Sequence, residues 1–525
     1  MVLEKEKKMS KGIITGAFVL TVSTLVVKLL GVLYKIPIAR VLGEEGMGYF
    51  NSAYTVYAFF YLLCTAGVPK AVMILVSESQ VKGEDEFKIV RNALNFFVLL
   101  GFSFSIIFGA LGFPLAKLIG NANSGYAMLA ISPTILFVAA SGVLRGYLSA
   151  NMKFSEIAIT QIVEGIIKLL LGLVMAGIAI KKCLPLPVVV AAALIGVVIG
   201  SFASFILLYV GCKSKNSNII LWQKGIRSLD TTVLKRIFRI SIPITLSAAV
   251  MSITGVLDLA MIMHRMNDIG YDSVQSSALF GNYTTMAVPM FNLAVALITP
   301  ISVSYMTAYA RAHAENDNAL LNKSVNDSVS FSMLVAAPMI IGLLIYPKEI
   351  LKFLYGDLGI DVGAKLTMLL MPSVAIMSLL LIVNSALEAC GKVRLTVFSM
   401  ILGGAVKAIA GYFLMGNDEI GIFGAPISTL LGYLTSVIIS SFALTRVCGL
   451  RINMLEPCII THACALVAVL ISRFVYSMVV NKAGDNFTLL MCIVISAVLY
   501  VLFVYFCGIF VGDKGIERSK CTKLA

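Results

Sequence analysis

Charge is scarce in this chain. Only 13% of its 525 residues are Asp, Glu, Lys or Arg, where soluble proteins carry about 25%. Its three histidines, His264, His313 and His462, are too few and too far apart for a metal motif. The ten cysteines are scattered, mostly within apolar runs and with no pair at metal-ligand spacing. They read as small buried hydrophobes rather than disulfides or ligands. No GxxxxGK[ST] phosphate-binding sequence occurs, which argues against direct ATP hydrolysis. A lipid-linked polymerase or glycosyltransferase would need paired carboxylates on a catalytic loop or a basic-aromatic outer loop, and neither is found. The chain therefore does not read as an enzyme. Short alternating strands, the mark of a membrane barrel, are missing as well.

Apolar residues fill the space. They make up 59% of the chain, and the mean hydropathy is +0.96. The fold expected is an all-α integral membrane protein. Fourteen spans are expected, near 13–39, 47–77, 88–113, 124–149, 157–180, 186–211, 237–263, 275–308, 325–346, 362–389, 394–415, 420–445, 456–480 and 487–511. The opening MVLEKEKKMSKG is basic, but the apolar run after it is far longer than a signal-peptide core and lacks a small-residue cleavage site. Residues 1–12 are thus expected to be a cytoplasmic tail. With that end inside, the inner segments hold about three times the Lys and Arg of the outer turns, the positive-inside bias. Both termini are expected in the cytoplasm, and a net charge of +14 is assigned to cytoplasmic loops rather than to a nucleic-acid surface.

The chain also echoes itself. Lys153 and Lys168 are spaced as Lys392 and Lys407 are, and Pro133 and Pro187 as Pro372 and Pro426. Ser201-Phe202-Ala203 returns as Ser441-Phe442-Ala443, and Gly31-Val32-Leu33 as Gly255-Val256-Leu257. The expected division is an N-terminal six-helix half (13–211), a basic cytoplasmic linker (212–236), a C-terminal six-helix half (237–445), two extra helices (456–511) and a cytoplasmic tail (512–525). An even number of spans per half makes the repeats parallel, with a substrate expected in a central cavity and alternating access by rocking.

Cations recur inside the first two apolar runs: Lys28, Lys35 and Arg40 on one, Lys70 on the other. A charge at membrane depth costs about 2.5–3.5 kcal/mol on insertion scales, so it normally faces protein, water or ligand. Lys28 and Lys35, seven residues apart, share a helical face. Together these groups read as a staggered ladder for a phosphate, with snorkelling to an interface as the plain alternative. Asp258 stands alone in the seventh span as a candidate for coupling to a proton or sodium, or for a salt bridge across a cavity. Arg265 is placed near the outer mouth, and His264 at the interface. Glu164 and Lys168, at i,i+4, form an ion pair that neutralises itself or faces the cavity. Lys407 has Gly403 where such an acid would stand and is assigned to the cavity. Asn282, Tyr283 and Asn292 would hydrogen-bond a sugar or peptide, or a neighbouring helix.

The pattern K-LG-YKIPIARVLGEEGMGYFNSAY followed by TAGVPKAVMILVSES, with twelve helices in two parallel halves plus two, resembles the multidrug/oligosaccharidyl-lipid/polysaccharide exporter superfamily. More narrowly it resembles the stage V sporulation protein B branch, close to the MurJ-type lipid II flippases. The resemblance implies transport of a lipid-linked cell-wall or polysaccharide precursor, with basic residues of the first two helices on its diphosphate. Cell-wall synthases are the implied partners, with a monomer expected, no cofactor, and proton or sodium coupling open. A cation-coupled multidrug extruder of the same superfamily is the rival. Asp258 keeps it alive, and the excess of cations in the N-terminal half counts against it.

Overall fold

The computed structural model describes residues 2–215, 230–449 and 455–507, without the side chains of most of residues 2–29, of 246–251, and of 32, 64, 213–215, 243, 447–448, 455, 457 and 481–483. Most of the expected basic linker and the C-terminal tail lie outside the described residues. The described chain is helical: α1 (Val2–Thr65), α2 (Val68–Lys82), α3 (Glu86–Ile119), α4 (Gly125–Ile131), α5 (Thr134–Ala150), α6 (Phe154–Lys181), α7 (Leu186–Lys215), α8 (Thr231–Asp268) and α9 (Ser273–Asn282), then α10 (Val288–Ala314), α11 (Asn318–Ile345), α12 (Pro347–Tyr355), α13 (Ile360–Leu370), α14 (Pro372–Ala389), α15 (Val393–Met415), α16 (Gly424–Cys448), α17 (Leu455–Ala483) and α18 (Asp485–Phe506).

Eleven helices among the described residues are long and apolar enough to cross a membrane, or twelve if the bent pair Ala122–Ile131 and Thr134–Ala150 is one span. They answer to the expected spans except 13–39 and 237–263, which fall on the stretches of α1 and α8 lacking described side chains. A count of fourteen is therefore not reached. The expected span 47–77 is not one rod. α1 ends at Thr65 and α2 starts at Val68, with Pro69 in its first turn where a missing N–H costs nothing. Gly67 between them lets α8 in: a Cβ there would lie 2.2 Å from the Ser241 carbonyl oxygen.

Packing divides the chain into two compact units, Met1–Thr285 and Met286–Ala525. This boundary is a division by contact, distinct from the division by sequence repeat. In the first unit α6 lies along α7, and α1 packs against α6, α7, α8 and α9. A buried cluster built on Val72, Val76, Leu94, Leu144 and Ile237 ties α2, α3, α5 and α8 together. In the second unit α15 pairs with α16, α10 and α11 with α14, and α17 with α18 and α11. Arg473 of α17 reaches Glu349 of α12 at 2.6 Å and lies over the Tyr346 ring, fastening the last helix pair to its neighbours.

Helix starts are capped by acids. Asp85 accepts from the Phe87 N–H, and Asp272 forms a reciprocal capping box with Gln275. Asp230 caps α8 through the Thr232 N–H and pairs with Lys88 of α3 at 2.7 Å. The Lys88 hydrogen bond, then the backbone N–H of Thr232, pull the Asp230 carboxyl down to about 2. A depressed carboxyl contributes stability above its unfolded value, and that contribution disappears as pH falls from near 4 toward about 2. Thermal unfolding of Asp230→Asn should therefore run parallel to wild type below that window and lower above it. Equal melting temperatures at pH 6 would refute the pairing.

Candidate functional site

α1 carries the polar interior of the first unit. Its helical run is broken at Gly43, whose φ of +70° and ψ of −176° are essentially open to glycine alone. From sequence, Leu42-Gly43-Glu44-Glu45-Gly46 is expected as a short turn joining two apolar runs; in the structure it is a one-residue break. Beyond it α1 meets α9 at very short range. A Cβ on Gly48 would sit 2.0 Å from the Ser277 carbonyl oxygen, and one on Gly281 would sit 2.4 Å from that of Glu44. Polar groups fill the same seam. Asn282 donates to Glu44 Oε2 at 2.7 Å and Asn51 to Thr285 Oγ1 at 2.8 Å. Asn121 bridges Ser52 and Ser277 at 2.9 and 3.2 Å.

Lys35 belongs to this seam. Its Nζ donates to the Thr284 carbonyl at 3.0 Å. Thr284 lies in a π-helical turn, Tyr283–Ala287. In that i+5 register the next donor would be residue 289, a proline with no N–H. The ammonium fills the acceptor that this local sequence leaves without a helical partner.

Further along α1 the aromatic residues stack. Phe50 and Tyr54 have ring centroids 6.0 Å apart, Tyr54 and Tyr57 5.6 Å, and Tyr57 and Tyr61 5.8 Å. Beside them stands a buried charge cluster. Glu164 Oε1 accepts from Lys168 Nζ at 2.7 Å and from Ser201 Oγ at 3.0 Å, and its Oε2 accepts from Arg145 Nη2 at 3.0 Å. Arg145 also reaches Ser204 Oγ at 3.3 Å. Three helices, α5, α6 and α7, supply these groups. Gly200 on α7 makes room for the lysine stem: a Cβ there would lie 2.9 Å from Lys168 Cγ. The second unit repeats the device, with Lys407 Cβ 2.8 Å from a Cβ on Gly432.

The expected site residues are distributed unevenly over this frame. Lys35 and Asn282 meet at the α1–α9 seam, both engaged. Arg40 and Lys70 are exposed, on α1 before the break and in the first turn of α2. Asp258 is half-buried on α8, and Arg265 pairs with Asp268 at 2.6 Å near the end of that helix. His264 beside it meets the Leu118 carbonyl at 2.8 Å. Asn292 is exposed on α10 and Lys407 half-buried on α15, both in the other unit. Lys28 lies on α1 with its side chain outside the described residues. The sequence puts Arg145 at the end of a span, where loop-end solvation, or a gate or interface role, is expected; the structure pairs it instead with Glu164, 19 residues on and across a helix contact.

A family model described as "Polysaccharide biosynthesis protein" matches residues 13–312. Among curated relatives, "Lipid II flippase MurJ" of Bacillus subtilis (strain 168) is 23% identical, the alignment covering 96% of each chain. "Stage V sporulation protein B" of the same organism is 21% identical over 93% of this chain and 94% of the relative. Among solved structures, a lipid II flippase MurJ in an inward closed conformation superposes with a TM-score of 0.71, at 17% identity over 94% of this chain and 99% of that one. An inward-facing multidrug resistance MATE family transporter gives 0.69, at 13% identity over 81% and 95%. Matched over more than half its length, this chain belongs to the polysaccharide biosynthesis protein family and is a multi-pass membrane transporter rather than an enzyme.

Proposed function

We propose that the protein is a flippase that moves a lipid-linked cell-wall or polysaccharide precursor, undecaprenyl diphosphate-linked and lipid II-like, from the cytoplasmic to the outer leaflet by alternating access. The observation that carries this reading is cationic: Lys35 and Lys168 both stand inside membrane-spanning helices with polar partners. A diphosphate brings two or more negative charges to membrane depth, and fixed ammonium groups replace the water it leaves. The isoprenoid tail needs only lipid, so the protein's polar groups are reserved for the head. The relative named as a lipid II flippase, aligned along nearly the whole chain, supports the same substrate class. Both termini are cytoplasmic in this reading, and Asp258 is the group through which a proton or sodium gradient would act.

Lys35→Ala tests the reading. In native mass spectrometry of the detergent-solubilised full chain, wild type should retain undecaprenyl diphosphate-linked species over undecaprenol, which has the tail and no phosphate. The variant should lose about tenfold of that preference, the worth of one charge-assisted hydrogen bond. Equal retention of both lipids by wild type would defeat the substrate class and bring forward drug extrusion coupled through Asp258.

A further inference from the structure

The cluster at Arg145, Glu164 and Lys168 holds two cations and one anion. Its members are mostly enclosed, with side-chain exposures of 15%, 11% and 25%. Glu164 is saturated by Arg145, Lys168 and Ser201, while Arg145 Nε is buried with no hydrogen-bond partner. A net positive charge with an unused buried donor, at the centre of a membrane helix, is costly unless an anion completes it. Lys168 is the fifteenth of 28 residues in α6, far from both ends, so snorkelling does not relieve it. Tyr54 and Tyr61 lie within electrostatic reach of its ammonium. Tyr54 keeps 40% exposure there. Tyrosine faces beside a cation are suited to a sugar next to an acidic group, the ring packing on the apolar face of the sugar while the cation takes the charge.

We infer that Arg145 and Lys168, braced by Glu164 and flanked by Tyr54 and Tyr61, form an anion subsite for the phosphate or carboxylate of a glycosylated cargo head. This rests on the lipid-linked cargo proposed above. In the free protein Glu164 holds both cations in place. On binding, the cargo anion takes the unused Arg145 Nε–H and the remaining Lys168 N–H groups and offsets the cluster's positive excess.

Charge sign separates this from a merely structural network. Native mass spectrometry of the full chain would compare wild type, Lys168→Gln, Glu164→Gln and Tyr54→Ala against three lipids. These are undecaprenol, undecaprenyl diphosphate, and that diphosphate carrying an N-acetylmuramoyl head with a free carboxylate. Lys168→Gln should weaken anionic-lipid retention about tenfold, while Glu164→Gln, which frees both cations, should strengthen it. Tyr54→Ala should weaken only the glycosylated lipid, and its exposed ring makes it the variant least exposed to misfolding. A Lys168→Gln effect on both diphosphates assigns the anion to the diphosphate; an effect confined to the carboxylated head assigns it there. Either outcome supports the subsite. Unchanged retention in Lys168→Gln, or weakening by Glu164→Gln as well, overturns it while the cargo class stands. Failure of wild type to prefer either diphosphate over undecaprenol removes the cargo class and the subsite together.

Discussion

Replacing Glu164 with alanine is expected to destabilise the protein by about 3–5 kcal/mol, the usual result of removing one member of a buried ion cluster. The loss does not come mainly from the missing contacts. It comes from Arg145 and Lys168, left facing one another across the space where Glu164 held them at 3.0 and 2.7 Å. Ser201 and Ser204 cannot replace a carboxylate, because a hydroxyl brings no compensating charge. Replacing all three by apolar residues of similar size, Arg145→Met with Glu164→Leu and Lys168→Met, removes the uncompensated charges with their partner. That triple variant should recover most of the stability of wild type. Thermal unfolding of the full chain in nanodiscs reads both. A triple variant as unstable as Glu164→Ala would mean that the hydrogen-bond geometry, not the charge balance, holds α5, α6 and α7 together.

Gly48→Ala is the second large effect, and its origin is steric. The added methyl would lie 2.0 Å from the Ser277 carbonyl oxygen, 2.2 Å from its hydroxyl and 2.5 Å from its carbonyl carbon. Two of those atoms are backbone, so no rotamer change relieves the clash, and α1 and α9 must separate. Overpacking of this kind costs about 1–3 kcal/mol, and loss of the seam's hydrogen bonds from Asn282 and Asn51 adds to it. Gly177→Ala on α6 is the matching control, since no atom lies within 4 Å of its would-be Cβ. There the substitution should be neutral or slightly stabilising, because alanine is the better helix former. Gly48→Ala should melt below wild type, and Gly177→Ala at or slightly above it. If Gly48→Ala melts with wild type, the close approach of α1 and α9 is not a feature of the folded protein.

The broad architecture was legible because a bilayer enforces it. Long apolar runs with few charges admit hardly any reading but helices, and twelve of the expected spans recur as helices or a bent helix pair. The site was legible only where local spacing carried the information. Glu164 and Lys168 are neighbours on one helix, so their pairing follows from position alone. Arg145 joins them from another helix, and with it a pair that balanced its own charge becomes a cluster with a positive excess. Lys35 was recognisable as a cation at membrane depth, whereas its acceptor depended on a π turn that helical periodicity does not announce. Asn282 was open between cargo and a neighbouring helix, and in this structure its amide is engaged by Glu44.

The break at Gly43 also sets a limit on reading α1 as a single wheel. Angular position around a helix accumulates at 100° per residue only while the backbone keeps its register. One residue at φ +70° and ψ −176° resets the phase. Positions such as Lys35 and Tyr54 therefore belong to two wheels with independent zeros, and a face projected through Gly43 from one to the other is an artefact of counting.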